Sequence, residues 1–136
     1  MPGKPEFSVT DGAGNVFVNF EDKSEILHID ASTLKVTGSW PLNPCSSPSG
    51  LAIDSGHHRL FSVCDNNKMA IVDSTSGKVV AIPAIGEGPD AVAYDAKRGL
   101  VFSSNGESSD LMILRQATPD SYPVLQTLPT QGVHVL

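Results

Sequence analysis

The chain is 136 residues long, 40% hydrophobic and 18% charged, with 12 glycines and 10 prolines, enough for one domain with a core and too short for two comfortable ones. A formal charge of −6 excludes nucleic acid and anionic membrane surfaces as partners, because both select clustered Lys and Arg. No run of 18 apolar residues suits a membrane-spanning helix and Met1-Pro2-Gly3-Lys4 opens no apolar leader, so the chain as written reads as cytoplasmic.

Short, β-branched apolar runs divided by turn residues then follow in threes and fours, too short for helices. The first group is Phe7-Ser8-Val9, Val16-Phe17-Val18, Ile26-Leu27-His28-Ile29 and Lys35-Val36-Thr37-Gly38-Ser39-Trp40. The second is Leu51-Ala52-Ile53, Leu60-Phe61-Ser62-Val63-Cys64, Met69-Ala70-Ile71-Val72 and Lys78-Val79-Val80-Ala81-Ile82. The third is Ala91-Val92-Ala93-Tyr94, Leu100-Val101-Phe102-Ser103, Leu111-Met112-Ile113-Leu114 and Pro123-Val124-Leu125-Gln126-Thr127-Leu128.

Phe17, Phe61 and Phe102 recur 44 and 41 residues apart, and Asp11, Asp54 and Asp95 recur 43 and 41 apart, a period that marks stacked supersecondary units. Asp54 and Asp95 open turns between first and second strands, and Asp30 and Asp73 open turns between third and fourth strands; an Asp side chain there bonds backbone N–H groups two residues on. The third copy replaces that last turn with a longer loop, Arg115 to Ser121. Third strands such as Met69-Ala70-Ile71-Val72 and Leu111-Met112-Ile113-Leu114 are apolar without alternation, which predicts sheets buried on both faces. Radially stacked four-stranded sheets satisfy that demand, and the small Ala52 and Ala93 suit a crowded innermost strand. The expected fold class is therefore all-β: about three four-stranded antiparallel blades of a partial β-propeller, over residues 4–43, 47–86 and 88–130, with 131–136 beginning a fourth.

The blade phrases "KPEFSVTDGAGNVFVNFEDKSEILHID", "PSGLAIDSGHHRLFSVCDNNKMAIVDSTSGKVVA" and "GPDAVAYDAKRGLVFSSNGE" resemble bacterial YVTN-type β-propeller repeat proteins. The resemblance implies a seven-bladed fold, usually exported, that serves as a binding or surface scaffold. Three blades do not close a ring, and an uncovered blade leaves an apolar face larger than monomers ordinarily expose. The expected partner is a second copy of the chain, joined about a two-fold axis into a six-bladed ring.

Loops after the second strands and between blades should share one face, where Glu21, Asp22, Glu25, Asp65, Glu87, Asp90, Glu107 and Asp110 oppose Lys23 and Lys68 for a net −6, while the other turns give a net +1. Such a rim focuses negative potential and favours a cationic small molecule or another protein's cationic group. The candidate ligand-binding residues are Glu21, Asp22, Asp65, Asn66, Glu87, Asp90, Asn105 and Glu107. The trios Asn19-Phe20-Glu21, Cys64-Asp65-Asn66 and Asn105-Gly106-Glu107 offer oxygens for Ca²⁺, although no DxDxDG loop accompanies them.

Other chemistry is poorly supplied. His57 and His58 are adjacent on extended chain and point apart, which suits a hairpin turn better than a shared metal. His28 reads as a hydrogen-bonded core histidine and His134 as a residue near a chain end. No Gly-x-Ser-x-Gly elbow or βαβ phosphate loop is present. Cys45 and Cys64, 19 residues apart and outside a CxxC context, read as a loop thiol and a strand thiol. No catalytic residue and no metal site is assigned. A non-catalytic binding module is favoured over a metal-dependent, lactonase-like propeller hydrolase and over a fragment without separate function.

Overall fold

The computed structural model describes residues 3–130, so the expected start of a fourth blade at 131–136 and His134 lie outside the described residues. Twelve strands follow in order: β1 Pro5–Thr10, β2 Asn15–Phe20, β3 Glu25–Asp30, β4 Lys35–Pro41, β5 Pro48–Asp54, β6 Arg59–Cys64, β7 Lys68–Asp73, β8 Val79–Ala81, β9 Pro89–Asp95, β10 Leu100–Asn105, β11 Asp110–Arg115 and β12 Val124–Pro129. They form three antiparallel meanders, β1-β2-β3-β4, β5-β6-β7-β8 and β9-β10-β11-β12, and no α-helix occurs among the described residues. Strand β5 lies beside both β1 and β9, so the first strands of successive sheets line a common axis. The architecture is an arc of three propeller blades.

The turns form where short polar side chains replace missing backbone partners. The Asp11 carboxylate accepts the Ala13 and Asn15 N–H groups at 2.8 and 3.1 Å. Asp30 takes Ser32 and Thr33 at 2.8 and 3.2 Å, Asp73 takes Thr75 and Ser76 at the same two distances, and Asp95 takes Lys97 and Arg98 at 3.0 and 3.1 Å. His58 lies in the β5–β6 turn at φ 58°, and the His57 Nδ1 meets the Asp54 carboxylate at 2.7 Å. The two histidines thus serve a turn.

Alternation along each strand sends side chains to two faces, and register decides which. Phe17 pairs with His28, Phe61 with Ile71 and Phe102 with Ile113, so the three repeat phenylalanines occupy one equivalent position. Phe17 joins a core with Leu51, Leu60, Ala70 and Val72 of the second blade. Phe61 joins a core with Val101, Leu114 and Tyr122 of the third, stacked on Tyr94 at 5.2 Å between ring centroids and edge-on to Tyr122 at 5.5 Å. Each blade therefore has a leading face, carrying the Phe, and a trailing face that receives the preceding blade's Phe.

The middle blade is covered on both sides, and Met69, Ala70, Ile71 and Val72 are all at 0% exposure. The third blade differs from the expectation of two-sided burial: Leu111 and Ile113 are only half-buried and Ala93 is exposed, because among the described residues no blade covers its leading face, which these share with Phe102. Backbones approach closely at the blade joints. A Cβ on Gly50 would stand 2.9 Å from the Asp90 carbonyl oxygen and 3.1 Å from the Ala91 Cα, which is why the inner strand β5 carries glycine there.

The cysteines depart from the sequence expectation: Cys45 and Cys64 form a disulfide with a Cα–Cα distance of 5.7 Å. The chain leaving β4 tucks back, Leu42 N–H bonding the Ser24 carbonyl at 3.0 Å and Cys45 N–H the Leu42 carbonyl at 2.8 Å. That brings the linker cysteine against the end of β6, within the span a disulfide bridges, and both residues are fully buried. A 19-residue spacing does not by itself announce the pairing.

The bridge should stabilise the fold by about 3 kcal/mol, as expected for a loop of this size. Urea unfolding with and without a phosphine reductant checks this, with a lower midpoint expected in the reduced chain.

Candidate functional site

Proline begins each innermost strand, at Pro5, Pro48 and Pro89, and the next residue of each strand opens onto one end of the axis. Glu6, Ser49 and Asp90 occupy these equivalent places. With Glu21, Ser47 and Asp65 they line a cleft of about 270 Å³. Glu21 follows β2 and Asp65 follows β6 at equivalent repeat positions, so the meander itself delivers four carboxylates to one mouth. Lys4 Nζ pairs with Glu21 Oε1 at 3.1 Å.

The carboxyls are unequal. The hydrogen bond between Glu6 and Glu21 raises the Glu6 carboxyl above its ordinary range. The Lys4 ammonium, hydrogen-bonded to Glu21, holds Glu21 below it. The pair is poised to retain one proton on Glu6 in mild acid while Glu21 stays charged.

Of the eight residues expected at an acidic face, Glu21, Asp65 and Asp90 come together at this mouth, and the others serve their own loops or point elsewhere. Asp22 Oδ1 accepts the Lys4 backbone N–H at 2.8 Å. Asn66 bridges the linker, accepting from Ser46 N–H at 3.1 Å and donating to the Pro44 carbonyl at 2.8 Å. Glu87 anchors its loop through its backbone, its N–H donating to Ser108 Oγ at 3.1 Å. Asn105 is buried and donates to Asp110 Oδ1 at 2.8 Å, and the Glu107 side chain lies over Gly88.

Asn19, aligned with the proposed cation ligands, is likewise buried. Its Nδ2 donates to the Ser49 and Gly50 carbonyls at 3.0 Å each and its Oδ1 accepts from Ser62 at 3.0 Å, a polar pin between the first two blades. Glu6 was missed by counting charges loop by loop; the signal was its place after the strand-opening proline. Among the described residues no three His, Cys, Asp or Glu side chains are placed to hold a metal ion.

The opposite end of the arc carries a second polar cleft of about 310 Å³, lined by Asp11, Asn15, His28, His58, Ser74 and Thr75. His28 is half-buried, stacked on Phe17 at 5.0 Å; its Nε2 meets Asn15 Oδ1 at 2.7 Å and its Nδ1 meets Thr37 Oγ1 at 3.1 Å. The hydrogen-bonded histidine expected from sequence is present, at the rim of the core.

Beyond it, the long third-blade loop folds onto the second blade. Arg59 donates to Asp120 at 2.7 Å and to the Pro119 carbonyl at 3.1 Å. Gln116 Nε2 donates to Asp54 Oδ2 at 2.8 Å while its Oε1 accepts from Tyr94 at 2.8 Å. Burial, then the nearby Asp54 charge, pushes the Tyr94 phenol up to about 12.

No protein-family model and no curated protein matches the chain. Solved structures match it with high structural similarity. Periplasmic gluconolactonase from Pseudomonas aeruginosa superposes with a TM-score of 0.82 at 17% identity, over 98% of this chain and 42% of that one. Hydrazine synthase of Kuenenia stuttgartiensis gives 0.81 at 12% identity, over 91% and 35%. The β-propeller domain of Cps50 (Swd1) from Myceliophteria thermophila gives 0.74 at 13% identity, over 93% and 40%. These establish the propeller fold, and the chain spans less than half the length of each of them. The finer likeness to YVTN-type repeats rests on the blade phrases alone.

The Asp54 network yields a pH prediction. Burial alone would raise this carboxyl, but hydrogen bonds from the Gln116 and His57 side chains outweigh it and hold the group below its ordinary 3.8. A folded-state pKa below the unfolded one contributes stability that is full above the unfolded value and is lost as pH falls through the folded one. Asp54→Asn should therefore lower stability at neutral pH and flatten the acid limb below about pH 4, read by thermal unfolding across pH 2–7.

Proposed function

We propose that this chain is a non-catalytic β-propeller interaction module that receives a cationic group, a protonated amine or a guanidinium, at its acidic axial mouth. The observation that carries the reading is the convergence of Glu6, Glu21, Asp65 and Asp90 on one cleft from equivalent positions of different blades. Like charges gathered at a concave rim focus potential and draw a counter-charge. The cation could belong to a small molecule or to another protein's basic side chain. The cleft's lining is polar, with Ser47, Ser49 and Pro89 between the carboxylates, which suits a hydrated ammonium better than an apolar ligand.

A lactonase-like hydrolase is the competing reading, since a gluconolactonase shares the fold. Such an enzyme needs an ion held by converging side chains, and the described residues include no such group of carboxylates, histidines and cysteines.

The working compartment is proposed to be oxidising, in contrast to the cytosol expected from the opening residues. The support is the Cys45–Cys64 disulfide, a bond that reducing compartments rarely sustain. A chain that is equally stable reduced and oxidised would remove this support.

Spermidine titrated into labelled protein at low salt should shift the backbone resonances of Glu6, Glu21, Asp65 and Asp90. Asp65→Asn or Asp90→Asn should each weaken binding by about two- to fivefold, the range of single exposed charge pairs. Binding should also weaken as pH falls toward the ordinary glutamate value of 4.5, because the Glu6 carboxyl, raised above that value by its hydrogen bond with Glu21, takes up its proton before that point. Shifts confined to other loops, or none, would overturn the assignment.

A further inference from the structure

Among the described residues, two apolar faces lack the neighbouring blade that their equivalents possess. Phe17 and Phe61 each press on a following blade and are 1% and 0% exposed, whereas Phe102, at the same repeat position, is half-buried and lines a shallow recess of about 140 Å³ with Ala91, Ala93 and Leu111. Ile113 pairs with Phe102 on this leading face. At the other end, Val16 and Ile29 are half-buried, in a small cluster separate from both inter-blade cores whose other members, Val18, Phe20 and Leu27, are buried within the chain itself. By register, Val16 and Ile29 correspond to Leu60 and Val72 of the second blade, which receive Phe17 in the first inter-blade core.

The geometry points to a second copy of this chain as the occupant of both faces: the Phe102 face of each protomer packs on the Val16–Ile29 face of its partner, closing six blades about a two-fold axis. The argument is continuity with an existing interface. At two joints inside the chain the same leading position is met by an apolar trailing face, aliphatic at the first and carrying Tyr94 and Tyr122 at the second, and among the described residues one face of each kind, at opposite ends of the arc, meets no further blade. Because both seams form in one reciprocal pair, the contact closes and does not propagate.

A four-stranded face six residues long measures about 20 Å on each side, roughly 400 Å². Two seams cover four such faces, at most about 1,600 Å², the size of a standard stable interface, less the part that Val18, Phe20 and Leu27 already bury within each chain. Closure would also complete the acidic mouth with the partner's equivalent carboxylates, although the pairing rests on the apolar faces and is independent of any cation.

Sedimentation velocity of the whole 136-residue chain at 1–50 µM tests this. A dimer is expected, and Phe102→Asp and Val16→Asp should each weaken it by on the order of 100-fold while leaving the circular dichroism of the folded blades unchanged. An equimolar mixture of the two variants should regain heterodimer, because one seam of the pair then joins two intact faces. A folded wild-type monomer at 50 µM, a concentration-dependent ladder of larger species, or dimers indifferent to both substitutions would overturn the proposal. A spermidine response retained by that monomer would leave the mouth assignment standing while the pairing fell.

Discussion

The structure depends on one constraint: a blade in this chain is apolar on both faces, and a two-faced sheet is stable only between neighbours of its own kind. The middle blade shows the constraint satisfied, with β7 fully buried and Phe61 set between Tyr94 and Tyr122. Burial at roughly 25 cal/mol per Å² of apolar surface makes each covered face a major part of the stability of a domain whose net balance is only 5–15 kcal/mol. Everything else is arranged around these seams. Asn19 pins the first joint through buried hydrogen bonds, Gly50 lets the inner strands approach, and the 115–121 loop clamps the second joint through Arg59 and Asp54.

Much of this was legible because repetition multiplies weak signals. A single apolar triplet such as Leu51-Ala52-Ile53 is ambiguous, but three triplets each followed by an Asp turn and a Phe-bearing strand at a constant period admit one architecture. The strands lie where the apolar runs predicted, most of them extended by a residue or more, while β8 is shortened to Val79–Ala81 and β12 is shifted by one residue to Val124–Pro129. What stayed hidden depends on contacts between distant segments. The disulfide requires the Leu42–Cys45 tuck, which no local pattern encodes. The long loop after β11 looked like a broken turn, and only the fold shows that it reaches Arg59, more than fifty residues away in sequence.

The acidic mouth was partly legible for the same reason. Glu21, Asp65 and Asp90 could be placed on this face because they recur at blade ends, while Asn66 and Asp22 spend their polar atoms on backbone groups and Asn105 on the Ser103 and Asp110 side chains. Sequence gives the residue type and not the hydrogen-bond partner, so an amide that ligates and an amide that pins a loop read alike. Glu6 shows the converse: assigned to neither face by loop counting, it is placed at the mouth by strand geometry.

The most direct test of the account is the concentration dependence of unfolding. If uncovered blade faces are what the chain must bury, stability is coupled to association, and the urea midpoint followed by Trp40 fluorescence should rise steadily as the chain is taken from 1 to 100 µM. A midpoint independent of concentration, with a single cooperative transition, would mean that an arc of three blades is self-sufficient and would contradict the account.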